Sequence, residues 1–427
     1  NLAAFLLCIL ALGVSPALRA GDAALPLPVV DASSEGFSPE RLHRLDAFMR
    51  TATQPDGYIG AVTLIARNGR IIDWQAYGYR DLARRNPMPR DAIFRIYSMT
   101  KTVTSVAVLT LMEEGRITLD DPIERYLPEF AHMQVLVGGT ANAPQLRPAA
   151  KPITIHELLT HTAGFATGRK GDEEALKLLE RSDPQGAQDL HEFASRLSQA
   201  PLAADPGTRF AYDGAATEVL ARLVEVVSGT PFDVFLRQRI FDPLRMRDSG
   251  FSVPAAQRGR VVDITRMSDD GRLTLDDGAS AEIPGAPLRA YSSAAGGLYS
   301  TAGDYARFCQ MLLNGGELDG ASVLGRKTVE LMMLNHLTML DPPVTEFSDA
   351  EGFGLGGYVV IDVARRGQPG SLGQFGWPGA ASTSYTIDRQ EKLIAILMLQ
   401  HLPRSDVRDL PRISRNFNAL VFQGLVQ

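Results

Sequence analysis

Cysteine is nearly absent from this chain of 427 residues, which contains only Cys8 and Cys309. Cys8 lies within a continuous apolar run, residues 2–14, that is too short to span a membrane and is followed by small residues. Such a run is typical of a secretory signal, so we expect residues 1–20 to be removed and the protein to be periplasmic or secreted. A retained N-terminal anchor helix is the alternative. Cys309 would then be alone, and we predict no internal disulfide.

An excess of basic residues is also missing. The 43 Lys and Arg residues are outnumbered by 49 Asp and Glu residues, and the formal net charge is -6. The composition therefore lacks the positive surface that nucleic acid binding requires, and we expect no nucleic acid partner. Lysine is rare beside arginine throughout the chain. Position 101 is an exception to this preference for arginine, and of the two side chains only that of Lys can give up its proton.

Three familiar site motifs are absent or incomplete. No Gly-x-Ser-x-Gly occurs, which argues against an ordinary α/β-hydrolase. Gly352, Gly354 and Gly357 match a dinucleotide-binding pattern, but a strand-like run follows where a helix is required. His156 and His161 are five residues apart, so on a helix they point about 140° away from each other and cannot share a metal ion. We expect packed or hydrogen-bonded histidines, no cofactor and no metal.

Ser98-Met99-Thr100-Lys101 is the one Ser-x-x-Lys sequence in the chain. It lies where a short strand-like run, residues 92–97, gives way to a helical pattern, residues 102–114. Residues three apart on a helix share one face, and a Ser beside a Lys that can lose its proton is a nucleophile with its own base. The helix dipole also favours negative charge at this end. The pattern predicts acyl transfer through a covalent acyl-serine, although an ordinary surface pair is the alternative.

Two further segments are candidate parts of the same site. Tyr212 lies at a predicted loop-to-helix junction, where a phenol can relay protons between a nucleophile and a leaving group. A half-buried aromatic with its hydroxyl in water is the alternative. The segment 374–382, which contains Trp377 and Gly379, precedes a predicted strand. Its small residues would let a substrate lie against a strand edge, and a backbone N–H there could complete an oxyanion hole. The alternative is a plain Gly/Pro turn.

The secondary structure patterns predict an α+β fold. Strand-like runs occur at both ends of the chain, and helical periodicity fills the middle. We therefore expect an antiparallel sheet from the N- and C-terminal segments, flanked by helices, with an inserted mainly helical lobe and a site in the cleft between them. The sheet lobe would comprise about residues 36–97 and 290–427, and the helical lobe about 98–289. Asn68-Gly69 predicts a hairpin turn, Ser38-Pro39 a helix start, residues 138–152 a loop, and Ser405 the start of the last helix.

The Ser98, Tyr212 and Trp377 segments, in this order and at these separations, resemble the serine β-lactamase and penicillin-binding-protein superfamily. The chain is most similar to the class C β-lactamase-like, or family VIII, carboxylesterases. The resemblance runs from about Ser38 to the C-terminus and includes residues 156–164, 205–207 and 294–307. It implies one serine β-lactamase/DD-peptidase-like domain over residues 21–427. It also implies roles for the site residues: Ser98 as nucleophile, Lys101 as general base, Tyr212 as proton relay, Trp377 and Gly379 as substrate-binding residues, and the N–H groups of Ser98 and Ala380 as the oxyanion hole.

Two departures from the family pattern bear on the substrate. Gly214 replaces the Asn that contacts the amide side chain of antibiotics in the β-lactamases. Trp377 replaces a cationic Lys or His that helps to receive the substrate carboxylate, and Pro378 removes a neighbouring hydroxyl. These changes favour short, neutral acyl esters as the small-molecule substrate. A β-lactamase or D-alanyl-D-alanine carboxypeptidase, a transesterase and a non-catalytic binding relative are the alternatives.

Overall fold

The computed structural model describes residues 25–276, 278, 283–404 and 407–427. The secretory segment expected at residues 1–20, with Cys8, lies outside the described residues. Cys309 is buried and carries a free thiol. No helix in the described ranges is long and apolar enough to cross a membrane.

The helices and strands below are those of the described residues. The α-helices are α1 (Pro39–Ala52), α2 (Thr100–Glu113), α3 (Ile155–Leu159), α4 (Glu173–Ser182), α5 (Leu190–Leu197), α6 (Ala215–Ser228), α7 (Phe232–Leu236), α8 (Ala302–Leu313), α9 (Arg326–Met332), α10 (Val363–Arg366) and α11 (Ser414–Gly424). The strands are β1 (Gly60–Arg67), β2 (Arg70–Gly78), β3 (Phe94–Arg95), β4 (Gln134–Thr140), β5 (Ala143–Pro148), β6 (Thr265–Met267), β7 (Leu273–Leu275), β8 (Tyr299–Ser300), β9 (Glu317–Leu318), β10 (Ala321–Ser322), β11 (Glu351–Phe353), β12 (Tyr358–Val360), β13 (Phe375–Pro378), β14 (Ser384–Asp388) and β15 (Leu393–Met398).

The main sheet joins the two ends of the chain. Within the described residues it has seven strands in the order β11-β12-β13-β14-β15-β1-β2, and neighbouring strands are antiparallel. The N-terminal hairpin turns at Asn68 and Gly69, whose φ angles of 51° and 80° are the positive values that such a turn requires. The prediction of an α+β fold with an antiparallel sheet flanked by helices is confirmed.

The interior strand β15 is covered on both faces. Its alternate side chains enter two different cores, because successive residues of a strand point to opposite faces. One core contains α1 and α11, and the other contains α2 and the helices between β5 and β8. This arrangement explains why β15 is apolar throughout. Its residues in the first core are Leu393, Ala395 and Leu397, and those in the second are Ile394, Ile396 and Met398.

Two predictions of local structure are wrong. The segment 138–152, predicted as a loop, contains most of the hairpin formed by β4 and β5. The last helix begins at Ser414 and not near Ser405. Pro411 lies in the segment just before it, and a proline ring and its missing N–H do not fit the interior of a helix.

Candidate active site

Ser98 lies at a strained junction between a strand and a helix. Strand β3 pairs with β8, a 3₁₀ turn over Tyr97–Met99 follows, and α2 begins at Thr100. Tyr97 has a φ angle of 43°, a left-handed conformation that is costly for a bulky side chain. Such strain often accompanies a functional residue, and here it precedes the half-buried Ser98 directly.

Lys101 is buried in the first turn of α2, with only 4% of its surface exposed. Its Nζ lies 3.3 Å from Ser98 Oγ and donates a hydrogen bond of 2.6 Å to the carbonyl of Ala295. The same nitrogen lies 4.9 Å from the centre of the Tyr212 ring. The structure therefore brings together the serine, lysine and tyrosine that the sequence singles out.

Tyr212 is held by contacts with several parts of the chain. Its hydroxyl accepts a hydrogen bond of 3.0 Å from the indole Nε1 of Trp377. Its backbone N–H donates to the Glu346 carboxylate at 3.0 Å, and its ring packs 4.7 Å from that of His161. The Tyr212 hydroxyl thus has a hydrogen-bond partner inside the protein. This contradicts the alternative in which the hydroxyl is bonded only to water.

The Trp377 segment begins as strand β13 and ends in a turn over residues 379–382, which the Ser382 N–H closes on the Gly379 carbonyl at 3.1 Å. Trp377 belongs to β13, pairs with Tyr385 of β14 and is 5% exposed. At the end of β13, the Gly379 N–H donates to the Thr383 carbonyl at 2.8 Å. A Cβ on Gly379 would overlap Thr383 and the carbonyl of Ile96. Glycine therefore lets the end of β13 pass against the backbone two residues before Ser98.

Ala380 follows directly in the chain. Ala380 and Ser98 line one cavity, and the Ala380 N–H donates no hydrogen bond to any other part of the chain that the structure describes. A free amide beside a half-buried serine is the arrangement that an oxyanion hole requires.

Two cavities meet at Ser98 and Tyr212. The helix-side cavity has a volume of about 620 Å³, and its apolar wall includes Leu176, Phe193 and Leu288. The sheet-side cavity has a volume of about 590 Å³ and is lined by Trp377, by the residues after it and by other aromatic side chains. Both volumes are typical of small-molecule sites. The serine can therefore be reached from two separate binding spaces.

The two histidines that sequence reasoning rejected as metal ligands have different partners. His156 Nε2 lies 3.0 Å from Nδ1 of His336, whereas His161 is buried beside Asp213, whose N–H points to its Nδ1 at 3.4 Å. Burial lowers the pKa of His156, and the neighbouring His336 acts in the same direction. Among the described residues, no group of three His, Cys, Asp or Glu side chains could hold a metal ion.

Sequence reasoning missed Ala295 and Glu218. Ala295 supplies the carbonyl that binds Lys101, although residues 294–307 are singled out only as part of the resemblance. Glu218 lies in the first turn of α6 and lines the helix-side cavity. The available signal is a charged residue at a buried helical position, since Val219, Leu220 and Leu223 around it are apolar.

Comparisons with known proteins show the family of the chain. The family model described as "Beta-lactamase" matches residues 45–416. Protein Rv1367c of Mycobacterium tuberculosis is 35% identical over 370 residues, covering 84% of this chain and 89% of that protein. Esterase EstB of Burkholderia gladioli is 31% identical over 372 residues, covering 83% and 89%. The solved structure of EstCE1, "a hydrolase with promiscuous acyltransferase activity", superimposes with a TM-score of 0.72 at 25% identity, covering 91% of this chain and 98% of that one.

Proposed function

The chain belongs to the beta-lactamase family, as a serine hydrolase of that superfamily, and we propose that it cleaves short acyl esters through an acyl-serine intermediate. The observation that carries the proposal is the contact between the Ser98 hydroxyl and the buried Lys101 amine, 3.3 Å apart at the junction of two cavities. A hydroxyl and an amine within reach of each other form a nucleophile and a base once the amine is neutral.

In the acylation step, Ser98 Oγ attacks the ester carbonyl carbon as its proton passes to the lone pair of Lys101. The carbonyl electrons move onto oxygen, and the N–H groups of Ser98 and Ala380 stabilise the resulting oxyanion. Tyr212, in contact with the Lys101 ammonium, relays the proton to the leaving alcohol as the carbon–oxygen bond breaks. Water then attacks acyl-Ser98 by the reverse proton path, which releases the acid and restores the serine.

The residues nearest to Tyr212 favour neutral esters over anionic substrates. Trp377 directs its N–H to the Tyr212 hydroxyl and places no positive charge where a substrate carboxylate would lie. Pro378 adds neither a hydroxyl nor an N–H. Gly214 has no side chain to contact an amide, and a Cβ there would come within 3.2 Å of that of Ala295.

Acyl transfer to a second alcohol is the other candidate reaction. It is favoured by the two cavities that meet at Ser98, because one can hold the acyl group while an alcohol occupies the other. EstCE1, which is described as a hydrolase with acyltransferase activity, has a similar fold. Adding a bulky alcohol to a reaction with a p-nitrophenyl ester separates the two reactions, since transfer produces a new ester and hydrolysis produces only the acid.

Replacement of the proposed nucleophile and base tests the mechanism. Ser98→Ala should lower kcat/KM for a short p-nitrophenyl ester by roughly a thousandfold or more, because the covalent intermediate is lost. Lys101→Arg should be nearly as damaging, because Arg cannot accept the proton. An active Ser98→Ala variant would show that Ser98 is not the nucleophile. An active Lys101→Arg variant would show that Lys101 acts as a positioning charge and not as the base.

Two further measurements separate the rival functions. A fluorophosphonate should label wild-type protein on Ser98, whereas a non-catalytic binding relative would stay unlabelled. Specificity constants for the short ester and for nitrocefin distinguish an esterase from a β-lactamase. A large advantage for nitrocefin would contradict the choice of neutral esters.

A further inference from the structure

Glu218 is a buried carboxylate with no salt bridge to any described residue. It lies on α6, is 4% exposed, and accepts three hydrogen bonds from one short segment. The donors are Ser293 Oγ at 2.6 Å, Ala294 N–H at 2.8 Å and Ala295 N–H at 3.3 Å. A buried charge is costly unless it is well hydrogen-bonded, so a carboxylate here needs a reason beyond packing.

The same segment holds Lys101 from its other side. The Ala295 carbonyl accepts the Lys101 hydrogen bond at 2.6 Å, and the Ala294 carbonyl accepts one from Thr104 Oγ1 at 3.3 Å. The N–H groups of Ala294 and Ala295 are thus fixed by Glu218, and their carbonyls face α2. The hydrogen bonds to Glu218 and those to α2 involve the same two consecutive residues, Ala294 and Ala295. The Glu218 carboxylate therefore fixes the position of the Ala295 carbonyl, which accepts the hydrogen bond from Lys101.

We propose that Glu218 is a positioning residue for the reaction, acting on Lys101 through Ser293, Ala294 and Ala295. The proposal rests on the proposed function, since it assigns the carboxylate a part in the proton transfer from Ser98. Its hydrogen bonds hold the Ala295 carbonyl against the Lys101 amine, and its negative charge stabilises the ammonium that forms when Ser98 attacks. Glu218 itself touches neither Ser98 nor the reacting carbon.

The electrostatic surroundings of Glu218 are consistent with this role. Burial raises the pKa of Glu218 to about 7, while the three hydrogen bonds and the positive charge of Lys101 act in the opposite direction. The titratable groups that face it are Lys101 on α2 and Tyr291 from the segment before Ser293. Burial raises the pKa of Tyr291, and the charge of Glu218 adds to that effect. Lys101 is thus the cation that the carboxylate influences.

The test compares Glu218→Gln and Glu218→Asp with the wild type, using active sites counted by fluorophosphonate titration. Glu218→Gln keeps the size of the side chain but removes its charge. We expect its kcat per titrated site to fall by about tenfold, with KM retained, because the charge that stabilises the Lys101 ammonium and fixes the Ala295 carbonyl is lost. The acid limb of the pH profile of its kcat/KM should move to lower pH. Without the negative charge of Glu218, the Lys101 ammonium should lose its proton more readily. Glu218→Asp keeps the charge, so its acid limb should stay in place.

A matched control is Asp304→Asn, which removes another buried carboxylate that lines neither cavity. It should leave kcat per titrated site unchanged. An unchanged kcat in folded Glu218→Gln, or an acid limb that does not move, would overturn the positioning role. If fluorophosphonate labels the wild type but the wild type hydrolyses no ester, the proposed function is wrong, whatever the role of Glu218. The pH dependence of the labelling rate in Glu218→Gln then still tests the role of Glu218.

Discussion

At the scale of the residue, the hydrogen bond from Trp377 to Tyr212 connects the proposed proton relay to the main sheet. The indole N–H donates to the phenol oxygen at 3.0 Å, and the two ring centres lie 5.0 Å apart. A donor on that oxygen stabilises negative charge there, and the phenol must carry such charge when it passes its proton to the leaving group. Under the proposed mechanism, Trp377 therefore supports the proton relay through Tyr212.

Trp377→Phe should lower kcat/KM for a short ester by about tenfold, because it removes the donor to Tyr212 while keeping an aromatic ring in the wall. The ring would still pack against Phe353 and Phe347, which now lie 5.1 Å and 6.1 Å from it. The loss should appear in kcat more than in KM. Steady-state kinetics with p-nitrophenyl butyrate measures both.

The second tryptophan of the chain provides the control for this substitution. Trp74 lies on β2, and its Nε1 is buried without a hydrogen-bond partner in the described structure. Trp74→Phe should leave the kinetics unchanged, because no donor to the site is lost. Equal activity of the Trp377→Phe variant and the wild type would show that the indole N–H does not contribute to catalysis.

At the scale of the element, strand β13 leads directly to Ala380, the proposed oxyanion donor. Gly379 follows the strand, and a Cβ there would overlap the carbonyl oxygen of Ile96, two residues before Ser98. Gly379→Ala should push β13 away from Ile96, because the new methyl group would overlap backbone atoms that have no room to move. We expect kcat/KM for the ester to fall by roughly a hundredfold, since a misplaced oxyanion donor stabilises the transition state poorly.

Gly259→Ala is the matched control for this change. Gly259 is exposed in a 3₁₀ turn, and a Cβ there would meet nothing within 4 Å. Both variants should fold, which circular dichroism and labelling of Ser98 by a fluorophosphonate can check. Full ester hydrolysis by Gly379→Ala would mean that the end of β13 does not position the oxyanion donor.

The elements that sequence reasoning predicted well are those with strong local signals. The Asn68-Gly69 turn and the Ser38 cap of α1 are examples, and the Ser38 hydroxyl accepts from the Arg41 N–H as an N-cap should. The hairpin of β4 and β5 was missed because its composition is that of a loop. All of β5 is exposed, so no alternation between buried and exposed residues marks it as a strand. Strand β13 was missed because Gly376 and Pro378 indicate a turn.

At the scale of the whole molecule, the position of the sheet could be predicted but the partners of the site residues could not. Apolar runs at both ends of the chain indicate buried strands that must share a sheet. Ser98 and Lys101 are three residues apart, so a local pattern is enough to pair them. In contrast, Lys101 and Ala295 are separated by 194 residues, and Glu218 and Ser293 by 75. Such contacts depend on how the helices pack, which no local pattern contains.

The buried carboxylates also give the molecule a dependence of stability on pH. Asp304 accepts hydrogen bonds from the Asp248 N–H and the Ser249 hydroxyl at 2.8 Å and 2.9 Å. Burial nevertheless raises its pKa from 3.8 to about 6. Glu218 follows the same pattern, with a pKa of about 7. Between these values and those of the unfolded chain, the folded state binds more protons, so its stability falls as the pH rises.

Asp304→Asn tests this dependence, because the variant lacks the titrating group but keeps a polar side chain of the same size. The free energy of unfolding of the wild type, relative to the variant, should fall by about 1 to 2 kcal/mol between pH 5 and pH 8. Most of the change should occur below pH 7, since above the folded pKa both states have lost the proton. Denaturant unfolding of both proteins at a series of pH values measures the difference. A difference that stays constant with pH would show that Asp304 titrates alike in the folded and unfolded states, and that burial does not control its charge.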